Sequence, residues 1–106
     1  MNTQITVDGE LWKPLLVPVV NLNGNSAHEM VDEVMDVRRA LDGTISLLRK
    51  AVANVAHGRN FQTTEDVMRA VNEAQDAWVQ RYIVLHIIQS ELEDLALAIQ
   101  RQDRGR

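Results

Sequence analysis

Val52-Ala53-Asn54-Val55-Ala56-His57-Gly58-Arg59-Asn60-Phe61-Gln62-Thr63-Thr64-Glu65-Asp66-Val67 is the stretch on which the fold turns. An apolar period of three and four residues runs into it and stops at His57-Gly58, and a second such period leaves it after Thr64. Gly58 reads as a helix stop, since glycine closes a helix without a Cβ penalty. Thr63 or Thr64 reads as the cap of the next helix, with Glu65 and Asp66 in its first turn to complement the dipole. The connection His57–Gln62 is short, so the two helices must run antiparallel.

Upstream, Ser26 and Glu29 have the spacing of a capping box, so the first helix is expected over 27–57. Its apolar stripe is Val34, Val37, Leu41, Ile45, Leu48, Val52 and Val55. Gly43 interrupts it and is expected to mark a close helix crossing. The second helix is expected over 64–102, with the stripe Val67, Val71, Ala74, Trp78, Tyr82, Leu85, Ile88, Leu92, Leu95 and Ile99. At 1.5 Å per residue the two helices span about 46 and about 58 Å.

Residues 1–25 differ in kind. Ile5-Thr6-Val7, Asp8-Gly9 and Glu10-Leu11-Trp12 suit a short β-hairpin with a type I′ turn. Pro14 and Pro18 then forbid a helix across Lys13–Val20 and favour an extended arm. Trp12, Leu15, Leu16 and Val17 are expected to be buried against helices of the same or a neighbouring subunit. The fold class is therefore all-α, one domain over 1–106: a long coiled-coil-like helical hairpin with an extended N-terminal arm.

A chain of 106 residues that is 45% apolar can fold, yet each of two paired helices buries only one side. Tyr82-Ile83-Val84-Leu85-His86-Ile87-Ile88 is apolar beyond what one partner helix covers, so a homo-oligomer is expected, an oligomeric helical bundle. The net charge of −4 and scattered basic residues argue against nucleic acid as a partner. With no cysteine, disulfides and thiol chemistry are excluded. No apolar run is long enough to span a membrane and no signal peptide opens the chain. The expected location is the cytoplasm.

Two polar turns are the candidate ligand sites. Asn21-Leu22-Asn23-Gly24-Asn25-Ser26 stands at a helix start, where free amides suit a phosphate or carboxylate; the favoured reading is a turn and cap. His57, Arg59, Asn60 and Phe61 combine a guanidinium for phosphate, a ring for stacking and an amide for a base edge; the favoured reading is a helix end with Phe61 plugging the core. The candidate residues are thus Asn21, Asn23, Gly24, Asn25, Ser26, His57, Arg59, Asn60 and Phe61. His28, Glu29 and Asp32 are too few to make a metal site, and His86 reads as a core or interface histidine. No catalytic motif is present, so no enzyme, cofactor or metal is expected.

The two turns, with a helix after each, resemble a set of short bacteriophage and prophage proteins with N-L-N-G-T-S and H-G-R-D-Y turns. The resemblance covers about residues 20–100. This chain has Asn25, Asn60 and Phe61 where the pattern has Thr, Asp and Tyr, and the last change removes a hydroxyl. The resemblance implies a viral context, and the host cytoplasm as location. In that context two readings stand: a binding protein that sequesters a small host nucleotide immune signal between subunits, an anti-defence role, or a structural or adaptor protein that forms part of a virion or blocks a host protein by contact.

Overall fold

The computed structural model describes residues 6–7, 9–63 and 65–104. Within them lie β1 (Thr6–Val7), β2 (Glu10–Leu11), α1 (Ala27–Val55), a 3-10 turn (Gly58–Asn60) and α2 (Val67–Arg104). The two long helices pack against each other as a hairpin in a molecule of 64 × 28 × 22 Å. The expected helical hairpin with an extended N-terminal arm is the fold.

The ladder of cross-helix contacts shows how regular this packing is. Arg38 pairs with Glu93, Asp42 with Gln89, Arg49 with Tyr82, and Ala56 with Gln75. In every pair the two residue numbers total 131, which is the signature of antiparallel helices held in one register without a slip. Gln89 is the buried polar residue of this ladder. Its amide donates to Asp42 Oδ1 at 2.8 Å and to the Arg38 carbonyl at 3.3 Å. The Arg38 guanidinium bridges Glu93 and Asp42. A half-buried polar knot of this kind is satisfied in one register only, because sliding the helices would strand Gln89 without partners.

α1 starts as its sequence dictates: Ser26 is extended and its hydroxyl accepts from the Glu29 amide at 3.1 Å. It ends two residues before the expected position. Gly58 is not the stop; it opens the 3-10 turn, and the only left-handed glycine among the described residues is Gly9, at φ 80°. The last carbonyls of α1, those of Asn54 and Val55, are instead met by the Asn60 side-chain amide at 2.7 and 3.3 Å. α2 starts three residues late. Its cap is Asp66, whose carboxylate accepts from the Arg69 amide at 3.1 Å, not Thr63; Thr64 lies outside the described residues. The carboxylate of Asp66 outcompetes a threonine hydroxyl because it is charged and faces the positive helix end.

The α2 stripe is as the sequence predicts: from Val67 to Leu95 its members are half-buried, and Ile99 is buried. On α1 the stripe shifts, with Ala27, Val31 and Ile45 buried and Val37 and Val55 exposed. Gly43 has open space around it, so it marks no close crossing.

The β-hairpin pairs Thr6 with Leu11 and Val7 with Glu10; Ile5 and Asp8 lie outside the described residues, and with Asp8 the turn type. Beyond it the arm lies along α2, parallel to it. The Trp12 indole donates to Glu91 Oε2 at 3.1 Å. At the far end the Gln102 amide clamps the arm's backbone, accepting from the Val20 N–H at 2.9 Å and donating to the Pro18 carbonyl at 2.8 Å. Val20 enters the main core, with Ala27, Val31, Ala96 and Ile99. The expected burial of Leu15, Leu16 and Val17 is corrected: they are exposed, Leu16 at 86%. Their segment is held by its ends and its backbone; Leu16 projects into solvent, while Leu15 and Val17, about half exposed, border a hollow beside α2.

Two substitutions test this fold. Gln102→Ala removes both bonds of the clamp and should lower stability by about 1–3 kcal/mol in urea unfolding; an unchanged midpoint would show that the arm is not held this way. Gly43→Ala should raise stability by about 1 kcal/mol, the helix propensity difference at an open site, and a loss would mean that a neighbour occupies that space.

Candidate functional site

The first turn is organised by one residue. The Asn21 side chain accepts from the Asn23 amide at 2.9 Å and donates to the Val19 carbonyl at 3.0 Å, and the Asn21 carbonyl accepts from Gly24 at 3.3 Å. This is the local side-chain turn that asparagine favours. Asn23 and Asn25 stand exposed beside it, and Ser26 is occupied with capping. Gly24 takes ordinary backbone angles, and a Cβ there would sit 3.5 Å from the Asn21 side chain, an ordinary contact. Leu22 projects into solvent at 97% exposure. Next to the turn, His28 and Asp32 pair across one helical turn at 3.2 Å, both exposed.

The second turn is organised by two residues. His57 Nδ1 accepts from the Arg59 amide at 3.2 Å, which starts the 3-10 turn. Asn60 closes the end of α1 as described above. Phe61 is half-buried, in keeping with a plug at the helix end. Arg59 is exposed, and its guanidinium has no partner among the described residues.

Four of the nine candidates thus spend side-chain hydrogen bonds on building the turns. Asn21, Ser26, His57 and Asn60 are structural in this sense, whereas Asn23, Asn25 and Arg59 present free side chains. The structure does not bring the two turns together. They stand at opposite ends of α1, whose 29 residues span about 43 Å.

Three hollows lie away from both turns. A hollow of about 350 Å³ between arm and α2 is lined by Pro14, Leu15, Val17, Glu91, Asp94, Leu95 and Ala98. Two more open in the groove between the helices, one of about 330 Å³ against Leu48, Arg49, Val52, Val79 and Tyr82, the other of about 290 Å³ against Val31, Met35, Glu93, Ala96, Leu97 and Gln100. None of the three includes a residue of either polar turn. At the first groove hollow, the Arg49 guanidinium lies 5.0 Å from the Tyr82 ring centre and bonds its hydroxyl, and the ring meets His86 edge-on at 4.4 Å. Sequence patterning missed these hollows because each combines residues from segments far apart in the chain.

No protein family, curated protein or solved structure matches the chain. Among the described residues no helix is long and apolar enough to cross a membrane.

The division of labour in the second turn is testable. Asn60→Ala should cost about 1 kcal/mol by freeing the last carbonyls of α1, while Arg59→Ala should leave the urea midpoint unchanged. Equal losses in both variants would contradict the assignment of Arg59 as a free side chain.

Proposed function

We propose that this protein is a small phage-type binding protein that acts by contact rather than catalysis, as a helical oligomer that engages a protein of the host. The observation that supports this reading is the arm. Its backbone and polar ends are tied to α2 by Gln102 and Glu91, yet Leu16, Val19 and Leu22 are held outward at 86, 77 and 97% exposure. A pinned extended segment that displays leucine and valine to solvent is preorganised for recognition, because little chain entropy remains to be lost on binding. Exposed apolar groups in such a strip mark interaction surfaces.

A second reading, sequestration of a nucleotide immune signal between subunits, is favoured by one observation: Arg59 offers an unpaired guanidinium for a phosphate. Since the turns are about 43 Å apart along α1, a site using both requires a second copy, whose first turn meets the second turn of its neighbour.

The two readings separate in one set of measurements. Leu16→Ser with Val19→Ser should abolish capture of a host protein while preserving the fold by circular dichroism, and nucleotides and cyclic dinucleotides should not raise the melting temperature. A ligand at a hundredfold excess over its Kd would stabilise by about 2.7 kcal/mol. Such a rise, lost in Arg59→Ala and in Asn23→Ala, would replace the contact reading by the nucleotide one.

A further inference from the structure

The chain exposes more surface than a compact protein of its mass. Its accessible area is 8225 Å², against about 6,000 Å² for a folded monomer of 12.0 kDa. Nine residues lie outside the described set; counted at the most a chain can expose, about 160 Å² each, they still leave an excess of roughly 800 Å². That is what each partner contributes to an interface of standard size. The radius of gyration, 19.2 Å, likewise exceeds the ~13 Å of a compact domain of this length.

The apolar part of this surface includes a line along α2. Val79 and Leu97 are 18 residues, or five full turns, apart and share one face, with Ile83 beside them. All three are about half exposed. The arm meets α2 between Glu91 and Gln102, and Val79 and Ile83 stay about half exposed. Each end of the line borders one of the groove hollows, Val79 the one against Leu48 and Val52, Leu97 the one against Val31 and Met35.

We propose that this line is covered by a second copy of the chain, α2 against α2 in antiparallel orientation about a two-fold axis near Ile88. The two ends of the line are complementary to each other in that arrangement. Leu97 of one copy meets the hollow beside Val79 of the other, and the reverse, so both hollows are filled twice by one symmetry operation. His86 faces Ser90 across the centre, where a small side chain is needed. Asp76 comes opposite Gln100 and within reach of the neighbouring Arg101 at both ends of the contact; Asp76 and Arg101 are exposed and neither has an ion-pair partner among the described residues. The inference rests on the oligomeric part of the proposed function, but not on the arm or its target. Assembly is measured on the purified chain alone, so its failure and that of the contact reading are distinguishable.

The test uses the full chain, which has no native cysteine. Sedimentation at about 100 µM should give a dimer. Leu97→Glu and Ile83→Glu should give monomers that remain helical, and Val37→Glu, on the exposed side of α1, should remain dimeric. Asp76→Arg should weaken the dimer and Asp76→Arg with Arg101→Asp should restore it. Mixed Val79→Cys and Leu97→Cys chains should form the mixed disulfide in preference to either self-pair. A monomeric wild-type chain would overturn the proposal. So would a dimer that survives Leu97→Glu, no rescue by the charge swap, or preferential Val79→Cys self-pairing.

Discussion

The rest of the structure depends on the single register of α1 against α2, fixed around buried Gln89. Its amide bonds to Asp42 and to the Arg38 carbonyl, while Arg38 spans to Glu93, so four polar groups are satisfied together or not at all. Apolar packing alone between two long stripes tolerates sliding by a heptad, since valine and leucine repeat along both. A buried polar group does not, because leaving it unpaired costs about 1–3 kcal/mol. From this register follow the placement of the polar turns at opposite ends, the meeting of α1's start with α2's end, and the landing of the arm at Gln102.

The core follows from that geometry. Only where the arm adds a third layer do buried side chains cluster: Val20 joins Ala27, Val31, Ala96 and Ile99, and Ile99 is the largest fully buried side chain. Towards the other end, Ile45 and Ala56 are the buried apolar residues of a two-layer structure. A two-layer helix pair leaves its outer faces wet, which is why apolar side chains such as Val79, Ile83 and Leu97 stand half exposed. The protein thus combines a well-anchored end with a long surface suited to contact, and both proposals above draw on that contrast.

How much of this was legible in the sequence depended on range. Local rules worked: the Ser26 cap, the α2 stripe from Val67 to Ile99, and the arm's extended path through Pro14 and Pro18 all follow from spacing and backbone chemistry. Errors arose where another residue, near or distant, supplied the deciding group, or where no partner was present among the described residues. Gly58 looked like a stop until Asn60, folding back, met the α1 carbonyls. Asp66 took the cap from Thr63 through its charge. Gly43 suggested a crossing, but glycine's tolerance of close approach does not require one. Leu15, Leu16 and Val17 looked buried by composition. Nothing local announces that Gln102, more than eighty residues away, would grip the backbone and leave Leu16 outward with Leu15 and Val17 half exposed. Of the candidate site, the turns themselves were legible, but not which of their side chains the turns consume. Asn21 and Asn60 are spent on backbone groups, and Arg59 is not.

The claim at the centre is that the ladder from Arg38–Glu93 to Ala56–Gln75 closes within one chain. Nuclear Overhauser spectra of a mixture of isotope-labelled and unlabelled protein, filtered for contacts between chains, test it most directly. Gln89–Asp42 and Tyr82–Arg49 contacts are expected in the intramolecular spectrum alone. Finding them between chains would mean that each helix pairs with a neighbour's, and would contradict the hairpin.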